Sequence, residues 1–284
     1  MKLLNIHANA KLNLALSVLG KRSDGYHEID TLFQAIDLFD RLQIEKADRL
    51  AVFCPGLDGK DNLAFRAAEL FFKRSGLAGG ASIRIDKQIP LAAGLGGGST
   101  DAAAVLTGLN VLYDAGIPAG RLIEWAAELG ADVPFFLLGG TARARGIGER
   151  LEPIVSPLSP SYLLFGEGQK PSTAEMYRRL DQCRFPQPEI DRVAEALRQG
   201  DLAAFCRTAG NSFSVLWECT ETETRLAALG AQAVLLSGSG PTRFAVFGDP
   251  SSAKAAQECL RQSGVRTLLA HPAAQGAEIF PAVE

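Results

Sequence analysis

The sequence predicts an α+β chain folded as two lobes, and three observations carry that reading. Residues 2–54 read as strands, and across 10–16 apolar side chains fall at every second position, the period of a strand. Residues 61–148 then alternate helix and strand signals around a run of glycines. A proline- and serine-rich break at 154–160 separates them from helices and a late β-β-α-β pattern. The lobes are accordingly placed at residues 1–155 and 156–284.

Each element has its own signal. In Ala10-Lys11-Leu12-Asn13-Leu14-Ala15-Leu16 the leucines share one face of a strand, and Asn9, Lys11 and Asn13 share the other. Asp24-Gly25 supplies turn chemistry within residues 21–27, and an apolar stretch resumes at Ile29. Residues 61–75 read as a helix, with Leu63, Ala67, Leu70 and Phe71 on one stripe and Gly76 past its end. Ile83 and Ile85 alternate with Ser82, Arg84 and Asp86 as a strand. After the glycines, Ala102, Val105, Leu106, Leu109 and Leu112 mark a helical face. Pro118 opens a further helix that Gly130 closes. In the second lobe, strands are expected at 233–236, 244–247 and 265–269, with a helix from Asp249-Pro250 to Gly264.

Composition narrows the function classes. Apolar residues make up 47 % and charged residues 21 %, which excludes a disordered or fibrous chain. A net charge of −3 leaves no domain-wide basic field, so a nucleic-acid partner is not expected. The five cysteines (Cys54, Cys183, Cys206, Cys219 and Cys259) form no C-x-x-C pair, and their odd number suits a reduced compartment. The N-terminus is broken by polar residues, and no apolar stretch approaches the ~20 residues of a membrane span. A cytoplasmic protein without a membrane partner is the expectation.

The most informative segment is Pro90-Leu91-Ala92-Ala93-Gly94-Leu95-Gly96-Gly97-Gly98-Ser99-Thr100-Asp101. Glycine permits positive φ and close backbone approach at an entropic cost that a mere connector has no use for. A helix starting there directs free N–H groups and a positive dipole end at the loop, which makes an anion site suited to phosphates. No lysine follows Gly98, as a Walker loop requires, and Ser99 stands where the dinucleotide fingerprint needs its third glycine. The plain structural alternative is a turn in which Ser99 caps the helix.

With Pro90 ahead of it, the stretch from Gly94 to Ala103 resembles the ATP-phosphate motif of the GHMP kinase superfamily. Four further motifs stand in the order of one branch: Ala10-Lys11-Leu12-Asn13-Leu14, Asp24-Gly25-Tyr26-His27, Gly130-Ala131-Asp132-Val133-Pro134 and Ser237-Gly238-Ser239-Gly240-Pro241-Thr242. The resemblance implies an N-terminal lobe like ribosomal protein S5 domain 2 and a ferredoxin-like C-terminal lobe that closes the cleft. It implies transfer of the γ-phosphoryl of ATP, with Mg2+, to the 2-hydroxyl of 4-diphosphocytidyl-2-C-methyl-D-erythritol. It also places ATP on Pro90, Ala92, Gly94, Leu95, Gly96, Gly97, Gly98, Ser99 and Thr100. Thr100 stands where serine is common, and the hydroxyl is kept.

By the same resemblance Lys11 and Asp132 are the catalytic pair, with Asp132 as proton acceptor or as the group that orients the hydroxyl. Read from the residues alone, Lys11 is equally a solvated strand residue, and Asp132 a helix cap ahead of Pro134. Asn13, Tyr26 and His27, together with Thr173, Tyr177, Gly238, Ser239 and Gly240, are implied as substrate contacts. Tyr26 and His27 are the cytidine-recognition element, since aromatic faces stack on bases and imidazole hydrogen-bonds their edges. Thr173 and Tyr177, four apart, share a helix face as a second wall, although Tyr177 also reads as a packing residue. A bare Gly-Ser-Gly reads first as a hairpin turn. Ser99 is the hydroxyl nearest an expected Mg2+, Asp101 reads as structural, and Asn211 as facing the site.

Two alternatives stand beside this reading. One is another GHMP kinase, acting on homoserine or a mevalonate derivative. The other is a noncatalytic RNA-binding module, which predicts salt-dependent RNA binding without kinase turnover.

Overall fold

The structure, a computed structural model, describes residues 3–57, 59–166 and 171–281 of the chain. Two long strands, β1 (Leu3–Lys21) and β2 (His27–Ala47), form an antiparallel hairpin around the turn at Asp24-Gly25. The short β3 (Ala51–Phe53) follows, then α1 (Leu63–Ser75) and β4 (Gly80–Asp86). The Asn62 side chain caps α1 by accepting from the Ala64 N–H, and Gly76 ends it in the left-handed region. Next come α2 (Gly97–Leu112), α3 (Ala119–Leu129) and α4 (Val133–Leu138), then the strand pair β5 (Thr141–Gly146) and β6 (Arg150–Ile154). β2 serves two neighbours in turn, β5 along its first half and β4 along its second.

The second part begins with β7 (Ser161–Gly166) and continues through α5 (Thr173–Leu180), α6 (Ile190–Gln199) and α7 (Leu202–Thr208). A 3-10 turn at Ser212–Leu216 leads to α8 (Glu221–Ala228), then β8 (Ala233–Leu236), β9 (Thr242–Phe247), α9 (Pro250–Gln262) and β10 (Leu268–Ala270). Among the described residues these strands make a sheet ordered β10-β7-β9-β8. The last expected strand starts later than residue 265, because the Val265 N–H is still bonded to Leu260 O at the end of α9.

The final strand departs from two contiguous lobes. β11 (Ala277–Pro281) pairs with β1 in the register Ile6↔Ile279 and Ala8↔Ala277, so residues 277–281 lie in the first sheet, outside the expected 156–284 lobe. It covers an edge of β1 that would otherwise present unpaired N–H and C=O groups.

Packing explains why β1 is buried on both faces. Leu4, Ile6 and Ile44 pack under α1–α3 against Phe71, Leu106, Leu109 and Trp125. Farther along, Leu12, Leu14 and Ile36 share a core with Ile190, Val193 and Leu197 of α6 and with Tyr162 and Phe244 of the second sheet. Register shifts after Asn9 and after Asn13 bracket Lys11 and Asn13. Such bulges re-aim side chains beside functional sites. The polar face expected from the alternation is therefore inside the protein, and each of its members is bonded.

Candidate active site

The glycine loop is clamped from two sides. Lys11 of β1 donates its N–H to Leu95 O at 3.0 Å, and the Ser237 hydroxyl donates to Gly94 O at 3.3 Å. A Cβ at Gly94 would lie 2.7 Å from Ser237 O, so the 237–240 turn approaches as closely as glycine allows. α2 starts within the glycines: Gly96 is its N-cap at φ 76°, and no side chain caps it. Ser99 stands inside the first turn, so the capping alternative does not hold. The N–H groups of Gly97, Gly98 and Ser99 have no acceptor among the described residues. Those uncapped donors, at the positive end of a 16-residue helix, are arranged as an anion would require.

Below the loop, Lys11 is 4 % exposed and its Nζ lies 3.6 Å from Asp132 Oδ2. The ammonium also donates to Asn13 Oδ1 at 2.5 Å and sits 4.7 Å from the centroid of Phe33. Asn13 Nδ2 donates to the Thr31 hydroxyl, which in turn donates to Ala15 O at 2.6 Å. This chain fixes the amide so that its oxygen faces Lys11. Asp132 precedes α4 but its side chain makes no capping bond, so its carboxylate is left to face the lysine. Burial lowers the Lys11 pKa, and the Asp132 carboxylate opposes that shift.

These groups line one cleft of about 850 Å³. It gathers Lys11, Asn13, Tyr26, His27, Gly94, Gly96, Ser99, Asp132, Thr173, Tyr177, Gly238 and Ser239. Tyr26 is 61 % exposed, so its ring has a free face. Tyr177 stacks on His27 at 4.5 Å and 18° and packs edge-on to Phe213, so it braces the imidazole. Burial, then the field of Asp132, raises the Tyr177 pKa and keeps the phenol neutral. Asn211 does not touch the cleft directly; its amide donates to Leu236 O and Gly238 O, both at 2.8 Å, and so shapes the second-lobe turn.

Other expected residues lie outside this cleft. Leu95 and Thr100 are buried behind the loop, with the Thr100 hydroxyl bonded to Gly276 O at 3.4 Å. Pro90, Ala92, Gly97 and Gly98 do not line the cleft, and Ala92 takes φ 54°. Gly240 faces Trp217, whose ring a Cβ there would meet at 2.6 Å. Lys170, at the head of the Thr173–Tyr177 segment, is outside the described residues. Among the described residues no three His, Cys, Asp or Glu side chains cluster to hold a metal. A hard cation arriving with phosphates needs few protein ligands, and the Ser99 hydroxyl in the cleft, with no protein partner described, suits that role.

A buried cluster under the loop carries no motif. Asp40 is fully buried and accepts the N–H groups of Gln88 and Ile89 at 2.7 and 2.9 Å. Lys87 bonds Asp40 and, at 2.7 Å, Asp101 Oδ2, while Asp101 Oδ1 has no partner among the described residues. Burial pushes the Asp101 carboxyl up to about 7, with Lys87 opposing and Asp40 reinforcing the shift. Lys87→Met leaves two buried carboxylates facing each other and is expected to cost about 3 kcal/mol in denaturant unfolding. A carboxyl whose folded pKa is raised is most favourable below its unfolded value of 3.8 and loses that advantage as pH rises toward 7. The deficit of Lys87→Met therefore shrinks when unfolding is measured at pH 5 rather than pH 8. An unchanged deficit would place the charge elsewhere.

Comparison with known proteins gives the class first. The family profiles described as GHMP kinases N terminal domain and GHMP kinases C terminal match residues 62–140 and 193–266. The glycine loop, α2 and α4 all lie within the first, which makes the class that of the GHMP kinases. A 4-diphosphocytidyl-2-C-methyl-D-erythritol kinase of Bacillus cytotoxicus is 44 % identical over 256 residues, covering 86 % of this chain and 88 % of that one. One of Alkaliphilus metalliredigens is 40 % identical over 274 residues, covering 92 % and 93 %. Among solved structures, a 4-(cytidine 5'-diphospho)-2C-methyl-D-erythritol kinase is 40 % identical with a TM-score of 0.81, covering 94 % and 98 %. A homoserine kinase from Cytophaga hutchinsonii has a TM-score of 0.76 at 18 % identity over 98 % and 97 %, a likeness of fold alone. The chain belongs to the 4-diphosphocytidyl-2-C-methyl-D-erythritol kinase family. No helix among the described residues is long and apolar enough to cross a membrane.

Proposed function

We infer that the chain transfers the γ-phosphoryl group of ATP to the 2-hydroxyl of 4-diphosphocytidyl-2-C-methyl-D-erythritol. The observation that carries this reading is the Lys11–Asp132 pair, 3.6 Å apart beneath a helix N-terminus that no side chain among the described residues caps. The loop and those N–H groups hold the ATP phosphates. Asp132 accepts the proton of the attacking hydroxyl as the new P–O bond forms and ADP leaves. Lys11, oriented by Asn13, orients the hydroxyl oxygen and offsets the charge developing around the transferred group. A magnesium ion bound with the phosphates supplies charge compensation, and Ser99 is the side chain that would hold it. Tyr26 and His27 take the cytosine base. Among the described residues the five cysteines form no disulfide, which suits a reducing cytoplasm.

The test is ADP release with the cytidyl substrate, homoserine and mevalonate side by side. Release dependent on the cytidyl compound is expected. Equal release with homoserine or mevalonate would overturn the substrate, and salt-dependent RNA retention without any release would overturn the activity.

The pH profile follows from Lys11. Burial disfavours its charged form, so its proton leaves at a lower pH than that of a surface lysine. If the ammonium is needed, kcat falls on the alkaline side below the ordinary lysine value of 10.5. A profile flat to pH 10.5, with the fold intact, would remove Lys11 from the mechanism.

A further inference from the structure

His27 has a second partner that no motif marks. Its Nε2 lies 2.7 Å from Oδ1 of Asp181, the C-cap residue of α5. The other carboxylate oxygen, Oδ2, faces Lys21 Nζ at 3.6 Å. Tyr177 stacked on the imidazole fixes the plane of the ring. His27 lines the cleft, and its Nδ1 has no partner among the described residues.

We propose that Asp181 is a specificity-determining positioning residue, which holds the His27 proton on Nε2 and thereby presents Nδ1 to the cleft as a hydrogen-bond acceptor for the base. A carboxylate at 2.7 Å accepts only, so the neutral imidazole beside it carries its proton on Nε2. The nitrogen left for a ligand is then an acceptor. Cytosine offers a matching donor in its exocyclic amine. Uracil offers a carbonyl oxygen at that position, and two acceptors face each other with neither bonded. The hydrogen bond from His27 is the first cause of the lowered Asp181 pKa, in keeping with an ionised acceptor.

This inference rests on the cytidyl reading of the substrate. Its test compares kcat/KM at pH 8 for the cytidyl substrate and its uridyl analogue in wild type, Asp181→Leu and Asp181→Asn. Asp181→Leu frees the tautomer and is expected to reduce the preference for cytidine about tenfold or more, chiefly through KM. Asp181→Asn, whose amide oxygen still accepts from Nε2, retains most of the preference. A preference unchanged in Asp181→Leu, with wild type turning over the cytidyl substrate, overturns the role of Asp181 alone. Wild type that ignores the cytidyl substrate overturns the substrate reading and this inference together. Nitrogen-15 shifts of His27 in the wild-type protein give a result independent of any variant's folding. The Nε2–H tautomer is expected, and a neutral ring protonated on Nδ1 would overturn the proposal.

Discussion

Asp132→Asn lowers kcat by about 10²–10⁴-fold while KM for ATP stays within about twofold. The amide matches the carboxylate in shape but takes up no proton and carries no charge. The folding cost is small, because the Asp132 side chain makes no capping bond and its ionic partner in the structure is Lys11. The nucleotide contacts proposed above lie on the loop and on α2, so ground-state binding of ATP is expected to be largely spared. A second consequence separates this role from general damage. Asp132 opposes the lowering of the Lys11 pKa by burial. Without it the lysine loses its proton at still lower pH, and the alkaline limb of the residual activity moves down. Steady-state ADP release across pH checks both parts. A kcat within tenfold of wild type, or a limb that stays in place, would remove Asp132 from the chemistry.

Much of this site is legible in the chain, and the reasons differ by residue. Gly76, Pro118 and Gly130 punctuate their helices as local chemistry requires, and local chemistry is what a sequence displays. Lys11 and Asp132 stand out by motif, but their 3.6 Å approach depends on the packing of α4 against α2 and α3. The start of α2 at Gly97 is harder to read, since glycine is a poor helix former and the helix there is held by its neighbours. Asp40, Asp181 and Thr31 have no signature. A lone aspartate reads as a surface charge and a strand threonine as a sheet former, so only the fold reveals what each one bonds. The sequence reads Asn211 as facing the site, and in the fold its amide holds the Gly238 turn. β11 is similar: the sequence reading ends its strands at 265–269, and nothing in residues 277–281 names β1 as partner.

Gly96→Ala destabilises the protein by about 3 kcal/mol, the sum of a left-handed backbone in a residue with a Cβ and overpacking beneath the loop. Gly96 sits at φ 76°, and a Cβ there would lie 2.5 Å from the Phe136 ring and 3.3 Å from Lys11 Cγ. Phe136 is 1 % exposed and has no free direction in which to turn. The side chain that yields is Lys11, which moves relative to both the glycine loop and Asp132. A displacement near 1 Å is enough to lower kcat on the order of 10²-fold. Gly98→Ala is the contrast. Its φ is not in the left-handed region, and the nearest atom to a Cβ is Leu63 Cδ1 at an ordinary 3.6 Å. As the second residue of α2 it gains helix propensity, so stability is expected to hold or rise by about 0.5–1 kcal/mol. Denaturant unfolding of the two variants decides the matter. Equal losses would mean that the loop requires glycine for flexibility throughout. The unequal outcome ties the requirement to one position, where the loop, Phe136 and Lys11 compete for the same space.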